Sequence, residues 1–321
     1  TRQRPPAMFH WDNGLKLTRP DLAIDFRRRQ PRGFISHAHA DHMARHQYAL
    51  CTPATAALYH LRLGPRPTRE LPYREPVRWG GVRLTTYPAG HCLGSAMLLA
   101  EDGGESLLYS GDFKLRTSRT VEGAELPRAE VFILECTYGR PEYRLPDRQL
   151  VVEEFLELVE RTIRQGAVPV VCAYALGKSQ EATRLLTDAG FAVVQHAEAF
   201  RISAVYERFG VALGSYRRYG GDVEPGEVLV VPPGRAAAVP GPAVRIALTG
   251  WAIDKDARQR LRVDHALPLS DHADYDELFE AVERVGAKKV FCTHGPESFV
   301  DRLRERGVEA FPLEPASWRQ H

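Results

Sequence analysis

Apolar positions along this chain fall mostly in short runs, and the runs that read as strands stop at polar or glycine-rich turns. An opening hairpin is expected over 15–26, where Thr18, Arg19 and Pro20 separate two apolar runs and the second strand, 22–26, ends near Asp25. Residues 33–36 read as a buried strand, 54–63 as a helix stopped by Gly64 and Pro65, and 82–87 as an alternating strand. A hairpin over 96–100 and 106–109 turns around Asp102, Gly103 and Gly104, and 131–134 reads as a further buried strand.

After Pro146 the pattern changes. A helix over 151–165, a strand over 168–173, a helix over 179–188 stopped at Gly190 and a strand over 191–195 alternate, and strands follow over 228–231 and 244–248. Such alternation predicts a parallel α/β unit with its own core. The helix expected over 277–284 and the strand over 289–292 return to the first pattern. The chain therefore reads as α/β, with a first domain over 1–145 that resumes at 263–321 and an inserted α/β domain over 146–262. No fixed-period repeat signals a solenoid.

Composition changes this picture little. At 321 residues, with 44% hydrophobic and 26% charged positions, the chain can bury one large core or two smaller ones. Lys occurs only at 16, 114, 178, 255, 288 and 289, so nearly all of the 43 cationic residues are Arg. That bias suits a polyanion partner, because guanidinium binds phosphate bidentately, and it suits a GC-rich genome equally well. Cys51, Cys92, Cys136, Cys172 and Cys292 are widely spaced and form no CxxC, as expected of buried thiols in a reducing compartment. Neither a cationic leader nor a run long enough for a bilayer is found, which points to a cytoplasmic protein without a membrane partner.

The candidate chemistry gathers where strands end. Leaving the strand 33–36, the chain reads His37, Ala38, His39, Ala40, Asp41, His42: three imidazoles and a carboxylate in one turn, donors that suit zinc. His37 with His39 can serve one ion, and Asp41 with His42 a second. His46, just past this run, reads as an ordinary helix histidine. Asp25 can orient a ligand imidazole from behind, as metal-bound histidines require. His91 follows the strand 82–87 between Gly90 and Gly94, Asp112 follows Ser110 and Gly111 and can bridge two ions, Glu135 ends the strand 131–134, and His294 ends the strand 289–292. His272 lies in the turn Ser270, Asp271, His272, Ala273, Asp274, with His265 as its competitor. Gly177, Lys178 and Ser179 imitate the end of a phosphate-binding loop, but Cys172 stands where its first glycine belongs, so a P-loop is rejected. Lys178 and Ser179 either grip a nucleic-acid phosphate at the helix start or belong to an ordinary capped turn.

The ordered set Asp25, His37-x-His39-x-Asp41-His42, His91 and Asp112 resembles the metallo-β-lactamase fold. Glu135, His272 and His294 match the further motifs of its β-CASP nuclease branch. Within that branch the compact insertion and the run from Cys136 to Tyr143 are most similar to the bacterial DNA ligase-associated exonucleases, relatives of the SNM1 and cleavage-factor enzymes. His294 departs toward the RNA-processing members, since many SNM1-type enzymes carry an apolar residue there. The resemblance implies an αββα sandwich with an inserted β-CASP domain. It implies two zinc ions, or manganese in one or both sites: one held by His37, His39 and His91, the other by Asp41, His42 and His294, with Asp112 between them. It further implies a hydroxide activated by the two metals, His272 as general acid and Glu135 as its orienting carboxylate. The function implied is a DNA exonuclease of repair, in functional association with a DNA ligase. The alternatives are a ribonuclease of the same fold and a catalytically silent nucleic-acid-binding subunit.

Overall fold

The structure is a computed structural model and describes residues 7–234 and 241–314. The chain divides into two compact units. The first comprises residues up to Arg116, Glu122–Pro141 and those from Tyr275 on, and the second Thr117–Val121 with Glu142–Asp274.

In the first unit, strands β1 (Phe9–Trp11), β2 (Leu15–Leu17), β3 (Leu22–Ile24), β4 (Arg32–Phe34), β5 (Tyr48–Cys51) and β6 (Thr68–Glu70) lie side by side in chain order. The pairing is antiparallel up to β3 and parallel beyond it. A second sheet begins with β7 (Val77–Trp79), β8 (Val82–Pro88), β9 (Ala96–Asp102) and β10 (Glu105–Tyr109), all antiparallel, and β11 (Val131–Glu135) joins β10 in parallel. Leu17, Ile24, Phe34 and Leu50 of the first sheet pack in one core with Leu84, Leu98, Leu107 and Ile133 of the second. Alternation along each strand sends these side chains to one face. The helix α1 (Pro53–Leu63) starts at Thr52, whose hydroxyl accepts from Thr55 N at 3.3 Å, and stops at Gly64 with φ 84°.

The second unit is built on a parallel sheet. Its strands β12 (Val168–Cys172), β13 (Ala192–Gln195), β14 (Tyr216–Arg218), β15 (Glu227–Val231), β16 (Ala243–Leu248) and β17 (His265–Leu267) are arranged β14-β13-β15-β12-β16-β17. Helices α2 (Arg148–Arg164) and α3 (Lys178–Asp188) pack Phe155, Leu158 and Leu186 against Val171, Val193 and Val230 on one face. Helices α4 (Ala197–Arg208) and α5 (Ala257–Leu261) complete the unit. Asp147 caps α2 by accepting from Gln149 N at 2.8 Å and Leu150 N at 3.3 Å. The unit extends past residue 262, where a boundary was expected from sequence, because β17 completes the sheet beside β16.

The chain then returns to the first unit. After α6 (Tyr275–Val285), β18 (Lys289–Thr293) pairs in parallel with β11, and after α7 (Glu297–Glu305), β19 (Glu309–Pro312) pairs in parallel with β18. Ring contacts of Phe299 with Tyr275 and with Phe279 tie α7 to α6. All five cysteines, Cys51, Cys92, Cys136, Cys172 and Cys292, are buried. Among the described residues no helix is long and apolar enough to cross a membrane.

Phe34 is fully buried between the two sheets of the first unit. Phe34→Ala should therefore lower stability by about 3–5 kcal/mol through lost transfer energy and an unfilled cavity, read as a lower denaturant midpoint.

Candidate metal centre

Four strand ends of the first unit deliver the site, and two glycines let them meet. Gly111, with φ 54°, precedes Asp112; a Cβ there would stand 2.9 Å from the Cβ of Ser36, the residue before His37. Gly295 follows His294, and a Cβ on it would stand 2.2 Å from the carbonyl oxygen of Cys136, the residue after Glu135. Ser36 O also accepts from Ala96 N at 2.9 Å, and Thr293 O from Cys136 N at 2.8 Å. The loop carrying His91 is pinned by Ser95, whose hydroxyl accepts from His91 N and Cys92 N at 3.2 and 3.1 Å.

The side chains converge. His37, His39, His91 and Asp112 each present one ligand atom, all within 4.8 Å of one another, and His42, Asp112 and His294 form a second such group. His37 Nε2 and His91 Nε2 each lie 3.0 Å from His39 Nδ1. Bonds of about 2.0–2.1 Å to a tetrahedral zinc put ligand atoms roughly 3.3–3.4 Å apart, so the three nitrogens need separate only slightly to hold one ion. Asp112 Oδ2 is 3.5 Å from His37 Nε2, 3.3 Å from His42 Nε2 and 3.9 Å from His91 Nε2, which sets it between the two groups. His294 is exposed and has φ 58°, a left-handed conformation that histidine tolerates better than most residues.

Asp25 fixes the chemistry of the rings. Its carboxylate accepts from Ser36 N at 2.7 Å, Ser36 Oγ at 2.5 Å, Tyr109 OH at 2.8 Å and His42 Nδ1 at 2.9 Å. Because the Ser36 hydroxyl donates to Asp25, its oxygen is left to accept from His37 Nδ1, 3.0 Å away. Both His37 and His42 thus hold a proton on Nδ1 and turn Nε2 toward Asp112, the tautomer a cation requires. Burial, then His42 and His91, holds the His37 pKa well below its ordinary value, so this ring is neutral. Burial also disfavours a charged His42, but Asp112 and Asp25 outweigh it and raise its pKa well above the ordinary value. A cation at Nε2 would displace that proton.

The other expected residues fall in different places. Asp41 stands beside the cluster: its side chain is 56% exposed, with Oδ2 3.7 Å from His42 Nε2 and 3.9 Å from an Arg27 nitrogen. Glu135 is buried, presents an oxygen within 4.8 Å of Asp112, and accepts from Thr137 N at 2.9 Å. His272 belongs to the second unit, where its backbone N–H donates to Ser270 Oγ at 2.9 Å. Ser36 and Tyr109 carry no motif signal of their own, and they are the supporting residues that sequence reading missed.

Two expectations are corrected. His46 is in no helix: it is a buried loop residue whose ring packs against Gly33 and whose Nδ1 accepts from Gln30 N at 3.1 Å. Desolvation pushes its pKa down to about 4. Lys178 and Ser179 do not face solvent. Lys178 is 2% exposed, with its ammonium 2.7 Å from Glu181 and 2.6 Å from Asp271, and Ser179 Oγ donates to Ala173 O at 3.2 Å. Arg148 pairs with the same Glu181 at 2.7 Å. The lysine charge balances buried carboxylates, which leaves it none to offer a phosphate.

Two predictions follow from this geometry. Asp25→Ala should weaken metal retention against a chelator by roughly 10-fold to 100-fold, as loss of an orienting carboxylate does. Lys178→Met, which takes the ammonium away from Asp271 and leaves Glu181 its ion pair with Arg148, should cost about 3–5 kcal/mol in a denaturant titration while leaving the salt dependence of nucleic-acid binding unaltered.

The chain is similar to several known proteins. Residues 257–314 match the family model described as "Zn-dependent metallo-hydrolase RNA specificity domain". A "Probable DNA ligase" of Opitutus terrae is 40% identical over 316 residues, covering 94% of this chain and 31% of that protein. The "5' exonuclease Apollo" of Gallus gallus is 30% identical over 296 residues, 84% of this chain and 61% of that one. "Cleavage and polyadenylation specificity factor subunit 3" of Dictyostelium discoideum is 32% identical over 152 residues, 46% and 19% of the two. The chain thus spans less than two thirds of each of these relatives' own length. A crystal structure of a protein of unknown function from Enterococcus faecalis V583 superimposes with TM-score 0.64 and 15% identity over 88% of this chain and 79% of that one, a likeness of fold. The αββα sandwich with its inserted α/β domain, the convergent histidines and aspartate at its strand ends and these relatives together support the metallo-β-lactamase-fold β-CASP nuclease family as the one this chain is similar to.

Proposed function

We propose that this chain is a zinc-dependent nuclease that hydrolyses phosphodiester bonds of DNA in the cytoplasm, as an exonuclease of repair working alongside a DNA ligase. The observation that carries the reading is the convergence of His37, His39, His91, Asp112, His42 and His294 in two groups that share one carboxylate. His37, His39 and His91 would hold one ion, and His42 and His294, with Asp41 beside them, a second, with Asp112 common to both. Such a pair, zinc or manganese, supplies Lewis acidity that lowers the pKa of water and neutralises charge on phosphate oxygens. The relatives named as a DNA ligase and a 5' exonuclease support DNA as substrate and the ligase as partner.

The chain's own residues do the rest. Asp25 keeps His42 in its ligating tautomer, and Ser36 does so for His37. Water attacks phosphorus and releases a proton to solvent, the phosphorus–oxygen bond to the leaving group breaks, and His272, entering the step as the imidazolium, gives its proton to the departing oxygen. His272→Ala should retain bound metal yet slow DNA hydrolysis by about 10²-fold to 10⁴-fold, and should slow a nitrophenyl phosphodiester, whose leaving group needs no proton, much less. Loss of metal, or equal slowing of both substrates, would remove His272 from that role.

A second reading has its own support. His294 and the family model's description as an RNA specificity domain favour a ribonuclease. End-labelled single-stranded DNA and RNA, incubated side by side with zinc or manganese, separate the two. DNA should be shortened progressively from one end and RNA left largely intact; the reverse pattern establishes the ribonuclease, and binding without cleavage of either a silent subunit.

A further inference from the structure

The second unit carries a cavity of about 720 Å³ whose chemistry the proposed nuclease reaction does not use. It lies at the carboxyl ends of β12, β15 and β16, lined by Cys172, Pro233, Leu248 and Trp251 among others. Its position in the sheet is informative. β12 and β15 are neighbours, yet the chain leaves β12 through α3 toward β13 on one side and leaves β15 toward β16 on the other. A crevice at the carboxyl ends of parallel strands is the usual place of a ligand in open α/β sheets. The volume falls in the range of about 300–1,000 Å³ typical of small-molecule sites.

The lining specifies the ligand. β16 is flanked by β12 and β17, and interior parallel strands are normally apolar throughout. Arg245 breaks that rule, half-buried in the cavity wall opposite Val170. Its guanidinium has no acceptor among the described residues, and neither does that of Arg262, which also lines the cavity and adopts φ 55°. Both arginines also border an adjoining cavity of about 370 Å³. Arg260, by contrast, is already paired with Asp254 at 2.7 Å and Asp256 at 3.2 Å. The wall also carries Ala247, Leu261, Val263 and the Trp251 indole, together with Thr249 and with Asp254, whose carboxylate Arg260 neutralises. Two unengaged guanidinium groups beside an indole and aliphatic side chains match a phosphate joined to a planar ring. The geometry points to a binding site for a phosphorylated nucleoside, either a free mononucleotide or one nucleotide of a strand.

Calorimetric titration of the full chain with AMP, with inorganic phosphate and with a 5'-phosphorylated single-stranded tetranucleotide tests this. The titrations are run in the metal-loaded chain and in Asp112→Asn, which keeps the cavity intact. Nucleotide should bind both proteins, quench Trp251 fluorescence, and lose about 10-fold to 100-fold in affinity in Arg245→Ala and in Arg262→Ala, the effect of removing a charge-assisted contact. Arg262 is exposed, so its variant keeps the test valid if Arg245→Ala does not fold, and Arg245→Lys then stands in for it. AMP binding with this dependence assigns a free nucleotide, and binding of the tetranucleotide alone assigns a strand. No binding of either at millimolar concentration, affinity unchanged in both arginine variants, or inorganic phosphate binding as tightly as AMP overturns the assignment. Because Asp112→Asn alters only the metal groups, loss of cleavage there with nucleotide binding retained separates this site from the nuclease reading.

Discussion

The candidate metal centre depends on one buried carboxylate. Asp25 exposes 5% of its side chain and accepts four hydrogen bonds, from a backbone amide, a hydroxyl, a phenol and an imidazole. Burying a carboxylate costs several kcal/mol, and hydrogen bonds to a charged acceptor each return about 1.5–3 kcal/mol, so four donors suffice to hold it. The same four bonds tie the end of β3 to the end of β4, to β10 and to the histidine turn. Asp25 itself has φ 49°, a conformation that costs energy in an ordinary residue and that aspartate tolerates. Removing this one group would release a ring, a hydroxyl and a strand end together.

Close backbone approach is the second constraint. Imidazoles from separate loops reach one point only if the strands that carry them end side by side, and Gly111 and Gly295 stand where a Cβ would strike the neighbouring strand end. Parallel pairing of β10, β11 and β18 aligns those ends on one edge, which places Asp112, Glu135 and His294 in a row. The second unit solves a different problem with charge. Arg148, Glu181, Lys178 and Asp271 alternate in sign along a chain of ion pairs, and a buried pair of that kind is retained only when each member is matched.

Much of this was legible in the sequence. Long strands such as β8, which alternates, and β9, a continuous apolar run, are clear enough to be read, and the ligand candidates sit in turns whose residue types have few other uses. The three-residue strands β1, β6, β7, β14 and β17 were not legible, because so short a stretch shows no period and is recruited by its neighbours in the sheet. His46 shows the same limit for a single residue: its spacing suits a helix, and its burial against Gly33 is decided by the packing of β4.

The sequence by itself determined the fold class, the inserted α/β unit and the identity of the histidines and aspartates, since periodicity and donor type are properties of local residues. Only the tertiary structure decided which of them meet. It drew Asp112 between two histidine groups, left Asp41 largely in solvent, recruited Ser36 and Tyr109 to hold Asp25, and turned Lys178 inward to two carboxylates. These outcomes rest on distances between residues far apart in the chain and on desolvation, which depends on everything packed around a group, and neither is encoded in a short window of sequence.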